Sequence, residues 1–186
     1  MKPIKTLLSI LFISLLSTPS WSMTIGDLVE RDGLHYEKFT DAPFTGEVTG
    51  NPQGSYKNGK EEGAWISYHY NGQLAYKGNF KNGKEEGAWI SYHVNGQVFS
   101  KGNYKNGKEE GAWVGYKDNG QLSSRGNFKN GKKEGVWIGY FENGQLSRKG
   151  NYKNSKRDGA WVGYYENANV FKPETGIFKN DMKISD

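Results

Sequence analysis

Tryptophan stands at positions 65, 89, 113, 137 and 161, each 24 residues after the last. The residues between them are nearly the same each time: "GAWISYHYNGQLAYKGNFKNGKEE", then "GAWISYHVNGQVFSKGNYKNGKEE", "GAWVGYKDNGQLSSRGNFKNGKKE", "GVWIGYFENGQLSRKGNYKNSKRD" and a divergent "GAWVGYYENANVFKPETGIFKNDM". A unit this short cannot enclose a core of its own. Each copy must bury its apolar side against the next, and the chain must therefore build an array.

Within each unit the chain breakers recur at fixed places. Asn58-Gly59, Asn71-Gly72, Asn82-Gly83, Asn95-Gly96, Asn106-Gly107, Asn119-Gly120, Asn130-Gly131 and Asn143-Gly144 all separate runs rich in aromatic and β-branched residues. Asn-Gly between such runs is a hairpin signal, because a type I′ turn requires positive φ at both central residues. The pattern predicts an all-β fold: an elongated single antiparallel meander sheet of repeated β-hairpins, two strands per unit, over residues 51–181. No segment has helical periodicity, and 26 glycines would weaken any helix.

A two-residue loop at Asn71-Gly72 sets Tyr70 against Gln73 and, counting outward, Trp65 against Gly78. The same count pairs Trp89 with Gly102, Trp113 with Gly126 and Trp137 with Gly150. The indole is then expected to cover the glycine opposite it. Counting from the Asn82-Gly83 turn sets Gly87 against Gly78, unless a bulge falls near Glu85-Glu86-Gly87. Alternation assigns Trp65, Leu74, Tyr76 and Phe80 to one face, and Ile66, Tyr68, Ala75, Lys77 and Asn79 to the other.

The ends depart from the repeat. Lys2 and Lys5, an apolar run from Leu7 to Leu16, and small residues Ser20 and Ser22 have the layout of a secretory signal over residues 1–22, cut before Met23. Export to the periplasm or beyond follows from that reading. Residues 23–50 read as an atypical capping unit, in which Phe44-Thr45-Gly46-Glu47 resembles half a repeat. At the other end, Pro173 is expected to interrupt an edge strand, and residues 182–186 to form a tail. With no cysteine, packing and backbone pairing must supply the stability.

The pattern Y-x-x-N-G-Q-L followed by G-N-Y-K-N-G-K-x-x-G-x-W resembles the MORN-repeat proteins, in particular their bacterial variant, over about residues 44–181. That resemblance implies an elongated sheet of side-by-side hairpins and a role in attachment, dimerisation or scaffolding. It brings no catalytic residue and no cofactor. Some relatives are suspected of touching phospholipid head groups, and bacterial variants are similar to the antitoxin component of toxin–antitoxin pairs, a cytoplasmic role at odds with an export signal. The positions matching the family pattern are Tyr68, Gly78, Phe80, Gly87 and Trp89 with their repeats.

His35, His69 and His93 are too few for a metal site without cysteine, and the repeat place of the last two is later taken by Lys117, Phe141 and Tyr165. Glu61-Glu62, Glu85-Glu86 and Glu109-Glu110 sit beside turns, where adjacent residues of a strand diverge, so they read as solvated charge. Net charge is +5, of which Lys2 and Lys5 contribute two, and Lys-Glu alternation spreads it along the chain. That argues against nucleic acid.

The binding candidates are the tyrosines Tyr68, Tyr92, Tyr116, Tyr140 and Tyr164. Trp65, Trp89, Trp113, Trp137 and Trp161, with Gly78, Gly102, Gly126 and Gly150, read as structural. The expected function is non-enzymatic, without cofactor or metal: an exported β surface for a protein partner. An envelope glycan, a lipid surface or an immunity-type partner is the alternative.

Overall fold

The computed structural model describes residues 22–186, so the predicted signal segment lies outside the described residues except for Ser22. After a short 3₁₀ turn at Ile25–Asp27, β1 (Leu28–Arg31) and β2 (Leu34–Glu37) form a separate two-stranded hairpin. The main sheet begins with β3 (Gly46–Val48), β4 (Gln53–Lys57), β5 (Lys60–Tyr68) and β6 (Leu74–Lys81). It continues through β7 (Lys84–Glu85), β8 (Gly87–Tyr92), β9 (Val98–Lys105), β10 (Lys108–Tyr116) and β11 (Leu122–Lys129). Its last strands are β12 (Lys132–Tyr140), β13 (Leu146–Lys153), β14 (Lys156–Gly163), β15 (Gly176–Lys179) and β16 (Met182–Ser185). These 14 strands lie in chain order, every pairing antiparallel, with β3 and β16 at the open edges. The expected meander is what the chain forms.

The predicted register holds for the tryptophans: Trp65 pairs with Gly78, Trp89 with Gly102, Trp113 with Gly126 and Trp137 with Gly150. The ring, however, leans the other way. A Cβ built on Gly78 would overlap the indole of Trp89, and Gly54, Gly102, Gly126 and Gly150 are covered in the same way by Trp65, Trp113, Trp137 and Trp161. Gly78, Gly102, Gly126 and Gly150 therefore each lie between two tryptophans and are shielded by the one that follows in the chain, while Gly54, paired with Val48 on its other side, is covered by Trp65 alone. Pairing alone cannot reveal this, because side-chain torsions decide the side to which a ring leans.

The reason the following tryptophan can reach is a bulge. Phe80 pairs with Glu85, but Lys77 pairs with Ile90, so the later strand carries two extra residues between these pairs. Gly87 is therefore not opposite Gly78; it pairs with Tyr104 on its other side. Gly87 has φ +76°, a left-handed conformation that side chains resist, and Gly63, Gly111 and Gly135 repeat it at +74°, +73° and +73°.

The Asn-Gly steps prove to be of two kinds. Asn58, Asn82, Asn106 and Asn130 have φ between 50° and 52°, and the glycines after them are also positive, as a type I′ turn demands. Asn154-Ser155 and Asn180-Asp181 adopt the same geometry without glycine. At Asn71-Gly72 and its counterparts only the glycine is positive. Gly72 N–H donates to His69 O at 2.9 Å, and His69 N–H to Gln73 O at 2.7 Å, giving a three-residue loop. Tyr70 therefore does not face Gln73. A bulge next to the loop pairs Tyr68 with Leu74, which moves Leu74 from the tryptophan face to the tyrosine face.

One face carries a continuous line of edge-on rings. It starts at Tyr56 and Trp65 (centroids 5.3 Å apart) and passes through Phe80, Trp89, Tyr104, Trp113, Phe128, Trp137 and Tyr152 to Trp161, where the last pair is 4.9 Å apart. Each such contact contributes about 0.5–1.5 kcal/mol beyond burial. The line closes on itself sufficiently to leave Trp65, Trp137 and Trp161 only 3%, 8% and 5% exposed. At its start Leu28, Val48, Tyr56 and Trp65 form a buried cluster flanked by Phe44 and Phe80. At its end Phe178 is 2% exposed. Pro173 lies in a 3₁₀ turn, Lys172–Glu174, rather than in a strand, and Met182–Ser185, expected as tail, is the edge strand β16.

Candidate binding surfaces

The five tyrosines form one row on the face opposite the tryptophans. Tyr68, Tyr92, Tyr116 and Tyr140 pair with Leu74, Val98, Leu122 and Leu146, and Tyr164 bridges to Val170. All five are half-buried. Each cross-strand partner is apolar, while Gln53 Nε2 reaches Tyr68 Oη at 3.5 Å and Lys101 Nζ lies 5.5 Å from the Tyr116 ring centre.

The histidines beside this row hold neighbouring units together. His69 Nε2 bonds the carbonyl of Tyr92 at 2.9 Å, and His93 Nε2 that of Tyr116 at 3.0 Å. Lys117 Nζ donates to the Phe141 carbonyl in the same position. A carbonyl only accepts, so the ring nitrogen donates in each case. Asn71 and Asn95 extend the stitching at the loops, their Nδ2 groups donating to Val94 O at 2.8 Å and Asp118 O at 2.6 Å.

At the other end of the strands the glutamate pairs divide their labour. The first members, Glu61, Glu85 and Glu109, pair with Tyr56, Phe80 and Tyr104 on the aromatic face. The second members reach the next turn: Oε2 of Glu62, Glu86, Glu110 and Glu134 accepts from the backbone N–H of Asn82, Asn106, Asn130 and Asn154 at 2.9, 2.9, 2.8 and 3.0 Å. They are clasps rather than free solvated charges. A signal for this was present, since the second place stays acidic through Asp158 while the first becomes Lys133 and Arg157.

Lysines meet across five successive type I′ turns. Lys57 pairs with Lys60, Lys81 with Lys84, Lys105 with Lys108, Lys129 with Lys132 and Lys153 with Lys156. Like charges placed directly opposite one another destabilise a sheet. A second row lies inward on the same face, where Lys77, Lys101, Arg125 and Lys149 pair with Ile66 or its counterparts. All of these cations are exposed, and among the described residues none of them forms an ion pair. The alternation that spreads charge along the sequence therefore gathers it on one face, contrary to the sequence-based expectation.

On the aromatic face, Lys133 Nζ sits 4.5 Å from the Trp137 ring centre and 5.3 Å from that of Tyr152. Burial, and then the charge of Arg148, hold its ammonium below the usual lysine range. These groups line a hollow of about 200 Å³ with Trp161 and Ser124. Burial, followed by nearby carboxylates, raises the phenols of Tyr56 and Tyr104 above their ordinary value.

The family model described as "MORN repeat variant" matches residues 61–82, 85–106, 109–130 and 133–154. No curated protein matches the chain. Among solved structures, one similar chain belongs to "Crystal structure of GtfA/B complex bound to UDP and GlcNAc", 16% identical, with a TM-score of 0.20. The match covers 77% of this chain and spans only 26% of that one, and a superposition so loose carries no argument.

Proposed function

We infer, from the membership of residues 61–154 in the MORN-repeat family of non-catalytic scaffolds, that this chain is an exported repeat protein whose sheet presents a surface to a protein partner in the cell envelope. The observation that carries the reading is the unequal state of the two faces. The aromatic line packs ring on ring and buries Trp65, Trp137 and Trp161 to 3%, 8% and 5% exposed, whereas the opposite face sets half-buried tyrosines beside exposed cations. Tyrosine is suited to such a surface because its ring and hydroxyl contact apolar and polar groups together.

Photocrosslinking in the native compartment tests this. A crosslinker at Tyr92 or Tyr116 is expected to capture a discrete protein, and one at Tyr104 on the aromatic face is not. Equal capture from both faces, or none from a folded protein, refutes the reading. Export is tested separately by amino-terminal sequencing of protein recovered outside the cytoplasm, which is expected to begin at Met23.

A further inference from the structure

We propose that the cationic face is a binding site for a flexible, linear acidic polysaccharide, which lies across the type I′ turns and meets one lysine pair per repeat. The proposal rests on the reading of the array as a non-catalytic binding surface and names a ligand class for it.

Three observations converge on this site. First, the lysines are held in a stability-costing arrangement, directly opposite one another, in five successive turns. A sheet indifferent to these positions would accept one lysine and one glutamate across the turn. Second, cations outnumber acids on this face: each unit sets a lysine pair and an inner cation such as Lys77 or Lys101 beside a single carboxylate, Glu86 or Glu110. Glu86 and Glu110 direct an oxygen at a backbone N–H of the next unit and are half-buried, while the lysines beside them remain exposed. Third, the turns recur every two strands, so successive pairs lie about 9–10 Å apart. That is a ladder of regularly spaced charge, to which a polymer bearing regularly spaced carboxylates or sulfates is complementary.

The shape of the sheet favours a polymer over a membrane. Adjacent strands rotate by roughly 20–25°, so the turns of successive units wind around the long axis of the sheet and cannot all touch one plane. A flexible chain can follow that winding. Single-stranded nucleic acid fits less well, because bases need aromatic platforms beside the phosphates. Here the tyrosine row lies at the opposite end of the strands from the lysine pairs, with Leu74, Leu122 and Leu146 as its cross-strand partners.

The test uses the whole protein at physiological salt with polygalacturonate as the carboxylate polymer, dextran sulfate as the sulfate polymer, and neutral dextran, single-stranded DNA and anionic vesicles as the other arms. An acidic polysaccharide is expected to bind, with affinity rising with polymer length until the chain spans the five turns. The quadruple variant Lys81→Gln, Lys84→Gln, Lys105→Gln, Lys108→Gln is expected to bind roughly tenfold or more weakly, and Lys38→Gln, on the separate hairpin, unchanged. The quadruple variant removes two repulsive pairs, so its melting temperature should not fall. Binding by neither polymer, equal binding by a disaccharide, an equal loss in Lys38→Gln, or tighter binding to DNA or vesicles would each overturn the proposal. Because protein crosslinking is scored independently, polymer binding can fail while the partner reading stands.

Discussion

Trp113 lies on Gly102, a residue of the strand before it, and its Nε1 donates to the carbonyl of Asn103 at 3.1 Å. Trp137 and Trp161 repeat the bond to Asn127 and Asn151 at 3.0 and 2.8 Å. The glycine admits the ring, and the next carbonyl anchors it. Gly102→Ala is therefore expected to destabilise the protein by about 1–3 kcal/mol. In urea unfolding the effect should shrink in a Trp113→Ala background but stay additive with Trp89→Ala, although Trp89 is the residue paired with Gly102.

The clasps predict a difference between adjacent glutamates. Glu110→Ala strips an acceptor from Asn130 N–H and should cost about 1–2 kcal/mol. Glu109→Ala, which breaks no such bond, should stay within about 0.5 kcal/mol. Equal shifts of the two urea midpoints would remove the clasp from the account.

The final loop carries Ala168, with φ +65°, in the place held by Gly72, Gly96, Gly120 and Gly144. Left-handed backbone at alanine is strained, so Ala168→Gly should stabilise by about 1 kcal/mol, seen as a higher melting temperature.

Alkaline pH should weaken the aromatic line at its start and at its middle. Burial keeps the phenols of Tyr56 and Tyr104 protonated beyond their ordinary value of 10.0, whereas in the unfolded chain they ionise near it. The folded state then holds more protons, so stability is complete below pH 10 and is lost as pH rises through it. Tyr56→Phe and Tyr104→Phe should flatten that loss, and an unchanged pH profile would count against the burial argument.

Replacing one lysine of a turn pair tests the cost of the cationic face. Lys105→Glu sets opposite charges across the turn to Lys108 and should gain about 0.2–1 kcal/mol at low ionic strength. The gain should fade as salt is added, since both positions are exposed.

The period, the sheet and the pairing of Trp65 with Gly78 were legible in the sequence because residue spacing is what sets register. What spacing does not encode is torsion. The lean of Trp89 onto Gly78, the ordinary φ of Asn71 beside the positive φ of Asn82, and the bulge that moves Leu74 between faces all arise from backbone angles that identical Asn-Gly steps can adopt in two ways. The clasps and the cationic face were missed for a related reason. Reading Lys-Glu runs along the chain averages charges that the alternation of a strand separates: Lys81 across from Lys84 needs the turn to be closed, and Glu86 at Asn106 needs neighbouring turns to be stacked. The tyrosine row was legible as a row, but its leucine and valine partners were not.

Within the main sheet each strand lies beside the one made just before it, the short β7 and its continuation β8 both pairing with β6. A growing chain could therefore add each hairpin to an edge already in place, with no distant segment to wait for. The same ordering makes length a free variable. Because the clasp, the stitching histidine and the ring over the glycine each reach only the neighbouring unit, a gene could gain or lose 24 residues and still specify a protein whose joints all close.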